Sequence, residues 1–184
     1  MKEQQTNGKV IVVDHINKYN YNEYIGKTVK VTGDVYLVGL GLTKLPINFT
    51  EVGGDFYCNN NKLSSLEGAP RKVGGDFVCN NNKLSSVEGA PRKVGWGFYC
   101  ENNKLTSLEG APKYVGGNFD CSWNKLTSLV GALKEVGDDF NCSWNQLTSL
   151  VGAPNKVRRD FYCLNNPLKS FKGKPEYIGG EFIS

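Results

Sequence analysis

From Val31 onward the chain repeats one pattern of apolar and polar positions every 21 residues. The unit reads Val-Gly-Gly-Asp-Phe-x-Cys-x-x-Asn-Lys-Leu-Thr-Ser-Leu-x-Gly-Ala-Pro-x-Lys, and complete copies begin at Val52, Val73, Val94, Val115, Val136 and Val157. A degenerate copy begins at Val31, where Gly33-Asp34-Val35-Tyr36-Leu37 replaces Gly-Asp-Phe-x-Cys, and a shortened one begins at Ile178. In Phe-x-Cys two apolar residues flank one outward residue, the period-2 mark of a short strand. Self-similarity at this interval predicts a solenoid. Each turn can bury its Phe, Cys and Leu only against its neighbours, so the stack is stable as a unit and no single turn is. Strands stacked at ~4.8 Å make a parallel sheet. The return path between strands is too short for a helix with two loops, which predicts extended or 3-10 segments there.

Residues 1–30 fall outside the repeat and are expected to cap the first turn of a 31–184 solenoid. Lys9 to Val13 reads as a strand and Asp14 to Tyr24 as a short helix.

The segment Phe77-Val78-Cys79-Asn80-Asn81-Asn82-Lys83-Leu84 has the spacing Leu-x-Leu-x-x-Asn-x-Leu, with Phe and Cys in the first two apolar slots. With the following Leu84-Ser85-Ser86-Val87 and the Gly89-Ala90-Pro91 turn, it resembles the leucine-rich repeat family in its short bacterial and phage form. The resemblance spans residues 31–184 and implies a right-handed stack with its parallel sheet on a concave face. Two features depart from the repeats of secreted effectors: the Leu-Pro-x-Leu-Pro segment is missing, and no catalytic domain is appended. The ubiquitin-ligase activity of some effectors is therefore not carried over.

The repeated asparagines Asn61, Asn82, Asn103, Asn124, Asn145 and Asn166 stand where the chain turns inward, and an amide there can satisfy backbone groups of its own and the next turn. The glycine pairs suit backbone angles closed to other residues, although Trp96, Asp138, Arg158 and Arg159 occupy equivalent places.

Composition narrows the functional classes. A net charge of +4 without a basic tail or run gives no support to nucleic-acid binding. Met1 to Gly8 has no apolar run of signal-peptide length, and no segment approaches the roughly 18 apolar residues of a membrane span, so a cytoplasmic protein is expected. The six cysteines recur every 21 residues, which excludes a CxxC zinc pattern and a compact disulfide framework. They read as reduced core residues, in a slot that accepts Leu37 in the first copy. No metal or cofactor is expected. His15, the only histidine, precedes the repeats and follows Asp14, which reads as a helix cap. A nucleophile activated by histidine would have to use it, so the chain is not expected to be an enzyme.

What remains is surface. The residue before each Phe forms the column Asp34, Asp55, Asp76, Gly97, Asn118, Asp139, Asp160 and Glu181, and the residue after it forms Tyr36, Tyr57, Val78, Tyr99, Asp120, Asn141, Tyr162 and Ile183. Basic residues such as Arg71, Lys72, Arg92 and Lys93 lie elsewhere in the unit, so two faces of opposite sign are expected. The candidate partner-binding residues are Asp55, Tyr57, Asp76, Tyr99, Glu101, Asp120, Trp123, Trp144 and Tyr162. Their side chains leave the core, so exchanging Asp55 or Asp76 is expected to shift stability little. The expected function is a protein interaction scaffold for a basic partner surface, and the analogy with phage-borne repeats extends it to an inhibitor of a host protein. The alternative is a carbohydrate or surface-binding module built on Trp123, Trp144 and the Asn59-Asn60, Asn80-Asn81 and Asn102 row. Gly180 to Ser184 reads as an open edge strand, through which a homodimer could form.

Overall fold

In each repeat the outward residue before the valine and the valine itself form one two-residue strand. After the Gly-Gly-Asp corner, the inward Phe and its successor form another. Repetition turns these pairs into two parallel sheets in a computed structural model that describes residues 9–184. The first sheet has nine strands: Ile11–Val13, Thr28–Val31, Asn48–Val52, Lys72–Val73, Lys93–Val94, Tyr114–Val115, Glu135–Val136, Lys156–Val157 and Tyr177–Ile178. The second has eight, from Val35–Tyr36 through Phe56–Tyr57, Phe77–Val78 and their equivalents to Phe182–Ile183. Equivalent residues pair across coils, Val73 with Val94 and Phe77 with Phe98, so each coil lies on the next in register.

The sequence predicted extended or 3-10 segments opposite the Phe strands; that these segments pair into a sheet of their own was not expected. It forms because the valine points inward in every coil and its backbone reaches the same residue one coil away. The interior is then a set of columns. Phe56, Phe77, Phe98, Phe119, Phe140, Phe161 and Phe182 stack with ring centroids 5.2 to 5.7 Å apart. Valine, cysteine and two leucine columns fill the rest, and nearly all these side chains are fully buried. A fully buried Phe or Leu contributes about 1.5–3 kcal/mol, so stability accumulates coil by coil.

Asparagine holds the coils together where the chain leaves the second sheet. Asn103 Nδ2 donates to the carbonyls of Cys79, Cys100 and Glu101, and its Oδ1 accepts the N–H of Leu84 at 2.9 Å. The same four bonds recur at Asn61, Asn82, Asn124, Asn145 and Asn166; the ladder the sequence predicted is present, but it ties each coil to the preceding one and not to the next. At the next corner Gly89 takes φ +87°, letting Ala90 N–H close a turn onto Val87 C=O.

The N-terminal segment differs from its expected form. The strand is Ile11–Val13 and joins Thr28–Val31 in the first sheet. The helix over Asp14 to Tyr24 is absent; one 3-10 turn at Tyr21–Tyr24 stands in its place. Ile16 is buried and pairs with Val35, continuing the stack, while Asn17 N–H bonds Asn20 Oδ1 and Tyr19 N–H bonds Asn17 Oδ1. Such local side-chain bonds compete with a helix. Residues 1–8 of the expected cap lie outside the described residues.

Candidate recognition surface

Alternation in the short Phe strands sends the aspartate and tyrosine columns to the outer face of the second sheet. The aspartates are fixed there by the coil that follows. Oδ1 of Asp34, Asp55, Asp76, Asp139 and Asp160 accepts the N–H of the residue 21 positions on, at 2.7 to 3.0 Å. These carboxylates therefore belong to the skeleton as well as to the surface. The bonds argue against the expectation that exchanging Asp55 or Asp76 shifts stability little, because each carboxylate accepts a backbone N–H of the next coil. Asn118 does the same for Asp139 at 3.1 Å, so an amide can replace the carboxylate in this role.

The second oxygen faces outward. Tyr36, Tyr57 and Tyr162 donate their hydroxyls to Oδ2 of Asp34, Asp55 and Asp160 at 3.3, 3.2 and 3.0 Å. Tyr36 and Tyr57 stack with centroids 5.0 Å apart. Burial, then the charge of Asp55, pushes the Tyr57 phenol up to about 12. The backbone N–H of Glu181, then the Tyr162 hydroxyl, holds Asp160 below the usual carboxylate range. Asp120 spends its oxygens on Ser122 N–H and Asn141 Nδ2, at 2.8 and 3.1 Å.

At one place this regular face opens. Gly97 stands where five other coils have Asp, and the Tyr99 ring lies over it, so that a Cβ there would run into the ring. Asn118 Nδ2 donates to the Tyr99 hydroxyl at 3.4 Å. No tyrosine follows Asp76, whose Oδ2 is left without a side-chain donor. Trp96 and Asp138 each replace a glycine of the corner. Together with Asp76, Tyr99 and Asn118 they enclose a hollow of about 370 Å3. Trp96 is 69% exposed. Sequence reading noted Trp96 and Asp138 as departures but not as a site; that they cluster, within two coils, on positions glycine otherwise holds was the available signal.

Three residues beyond the tyrosine column the chain turns with positive φ, at Asn60, Asn81, Asn102, Trp123, Trp144 and Asn165. Trp123 and Trp144 stack with centroids 4.2 Å apart and planes 10° apart, 53% and 45% exposed. Asn tolerates this conformation, whereas a bulky residue at φ +53° or +57° is an outlier. Glu101 lies between the two columns, half-buried, with Oε2 lacking a partner. Burial, then the charge of Asp120, raises its carboxyl above the usual range.

The candidate residues thus divide by position. Asp55, Tyr57, Asp76, Tyr99, Asp120 and Tyr162 share the outer face of the second sheet, Glu101 borders it, and Trp123 with Trp144 forms a ledge at the next corner. The six cysteines are free and buried, with thiols pushed up by burial. Cys100, Cys121 and Cys142 each donate Sγ–H to a carbonyl of the next coil at 3.3 Å. His15 Nδ1 lies 3.4 Å from Asp14 Oδ2 on the exposed N-terminal segment. No helix among the described residues is long and apolar enough to cross a membrane. Neither a family model, nor a curated protein, nor a solved structure matches the chain.

Proposed function

We propose that the chain is a non-enzymatic, cytoplasmic binding protein of leucine-rich-repeat type. Its second sheet would be the concave face of a right-handed stack, docking a basic surface of a protein partner. The observation that carries this reading is the hollow between Trp96 and Tyr99, which Asp76 and Asp138 both line. Aromatic faces and carboxylates together favour a guanidinium or ammonium group over any neutral or anionic one. Around it, aspartates already ordered by backbone bonds lose little side-chain entropy on binding, which favours affinity. Eight strands at ~4.8 Å spacing give a face roughly 35 Å long, enough for a standard interface. Inhibition of a host protein is the activity such a surface would have if it covers the partner's own basic binding site.

A second reading is favoured by the Trp123 and Trp144 pair. Exposed stacked indoles held at unfavourable angles suit a flat ligand such as a sugar ring, with Asn102 beside them. One experiment separates the two. The chain is used as bait, and the captured partner is titrated against variants and salt. Changing Asp55, Asp76, Asp139 and Asp160 to Asn keeps the backbone caps, as Asn118 does, and removes only charge. Under the protein-partner reading these changes and high salt weaken binding, and loss of an anchor in the hollow costs more than about 1 kcal/mol. Binding that ignores salt and the aspartates, but is lost with Trp123→Asn and Trp144→Asn, supports the second reading instead.

A further inference from the structure

On the side of the first sheet, two adjacent coils part. In the coils before and just after this parting, the chain ahead of each strand is zipped to the coil before: Arg71 N–H bonds Thr50 C=O, Arg92 bonds Arg71, Lys113 bonds Arg92 and Asn155 bonds Lys134, at 2.8 to 3.0 Å. Lys134 N–H makes no such bond to Lys113 C=O, and the two strands pair only through Val115 and Val136. Gly137 N–H reaches Val115 C=O at 3.3 Å, against 3.0 Å for Gly74 onto Val52 and Gly95 onto Val73. At this parting lies a cavity of about 690 Å3, between the chain from Gly110 to Gly116 and the chain from Gly131 to Gly137.

Two departures from the repeat meet at the cavity. Leu133 replaces the proline that Pro70, Pro91, Pro112, Pro154 and Pro175 supply in other coils, giving the wall an aliphatic side chain beside Pro112. Arg158 replaces the corner glycine. That position is tight, since a Cβ on Gly74 or Gly137 would run into the carbonyl oxygen of the coil before. Arg158 N–H lies 3.3 Å from Val136 C=O, the same distance as Gly137 N–H from Val115 C=O one coil before. Arg158 lines the cavity together with Gly116 and Gly137, which have no side chains. Lys113 and Lys134 also line it, against a single carboxylate, Glu135. An apolar wall under an excess of cations does not suit the basic partner proposed for the other sheet.

We propose that this cavity is a second binding site, for a small organic anion with an apolar body. The head group would pair with Arg158 and the body would lie against Leu133 and Pro112. Its volume falls within the range of about 300–1,000 Å3 usual for small-molecule sites, and a guanidinium pairs with a carboxylate through two parallel bonds.

The test uses octanoate, octanol and octylammonium as probes in calorimetric titrations of the whole chain. Arg158→Gly and Leu133→Pro restore residues that neighbouring coils already carry, so both variants should fold, and melting checks this. The expected result is saturable binding of one octanoate per chain, weakened at least about tenfold by Arg158→Gly, the scale of a lost charge-assisted pair. Octanol and octylammonium should bind more weakly than octanoate, and Leu133→Pro should reduce octanoate binding. Failure of octanoate to saturate, equal affinity in wild type and Arg158→Gly, or tighter binding of octylammonium would each overturn the proposal. The aspartate-to-asparagine changes on the other sheet should leave octanoate affinity unchanged, so this site and the protein-partner reading stand or fall separately.

Discussion

The coils that turn at Asn81 and Asn102 and those that turn at Trp123 and Trp144 share a backbone. Their corner φ angles are 53° and 52° in the first pair, 53° and 57° in the second. The inner asparagines make the same bonds in both, Asn103 to Leu84, Cys79 and Cys100, Asn124 to Leu105, Cys100 and Cys121. What they show to solvent differs. In the first region the corners are amides, with Asn102 Nδ2 bonded to Asn81 Oδ1, and Glu88 and Glu109 follow seven residues on. In the second, stacked indoles take the corner and Val130 and Val151 replace the glutamates, both exposed. Two surface columns thus turn apolar at the same coil boundary while the skeleton stays constant. The fold needs the inner ladder and is indifferent to the outer columns, so the change in those columns is the part of the sequence that the fold does not explain.

The largest effect should come from the shared skeleton. Asn103→Ala would leave Leu84 N–H without its partner and take one of two donors from each of three carbonyls, since Cys79 keeps Asn82, Cys100 keeps Asn124 and Glu101 keeps Asn81 N–H; Asn124→Ala would do the same one coil later. One buried N–H left unpaired costs about 1–3 kcal/mol, which is the expected loss for either variant. Urea unfolding measures it. If the two losses differ by more than about 1 kcal/mol, the skeletons of the two regions are not equivalent and the comparison breaks.

Swapping the corners sharpens the comparison from the other side. A non-glycine residue in a sparsely populated backbone region costs about 1–3 kcal/mol unless its side chain tolerates it, as Asn does. One aromatic stack returns about 0.5–1.5 kcal/mol. With two strained tryptophans and one stack, changing Trp123 and Trp144 to Asn should raise stability by about 1 kcal/mol. Changing Asn81 and Asn102 to Trp should lower it by a similar amount. Chemical denaturation of both double variants decides the matter. A stability loss in the first would mean the indole stack serves the fold, and would remove the reason to look for its ligand.

The periodic part of this protein was legible because the fold repeats its constraints. A 21-residue spacing, an alternating Phe-x-Cys and an invariant inner Asn define coil, strand and ladder, and all three stand in the structure. The first sheet was missed since a two-residue strand such as Lys72–Val73 leaves no alternation to detect. The helix expected after Asp14 failed because Ile16 is claimed by the stack and Asn17 and Asn20 close a local turn. At the candidate surface, the columns were legible but their duties were not. That Asp55 spends one oxygen on Asp76 N–H depends on the separation of coils. The hollow under Trp96 depends on Tyr99 leaning over Gly97, and the parting at Lys134 depends on a single unmade bond. These are properties of contacts between coils, which a repeat pattern specifies only on average.

The smallest effect tests the boundary itself. The column that borders the tyrosines runs Asn59, Asn80, Glu101, Ser122 and Ser143, so Glu101 is the last long side chain before the tryptophan coils. Asn59 Oδ1, Asn80 Oδ1 and Glu101 Oε2 are buried without partners. Burial and the nearby Asp120 charge hold the Glu101 carboxyl above the usual range, so the folded chain keeps this proton more tightly than the unfolded chain does. By linkage, Glu101 lowers stability as pH rises from the ordinary glutamate range through the raised folded value. Glu101→Gln removes that penalty, and its amide N–H group could donate toward the acceptor left on Asn80. The variant should therefore be more stable at pH 7 by less than about 1 kcal/mol. The gain should shrink toward acid, where the wild-type carboxyl is protonated in both states. Comparing the two proteins at each pH cancels the titration of every other carboxylate they share. A gain equal at pH 7 and in acid would mean that the added amide contact, and not the buried charge, sets the difference; a loss at pH 7 would mean that the bonds the charge receives from backbone and from Asn80 outweigh its burial.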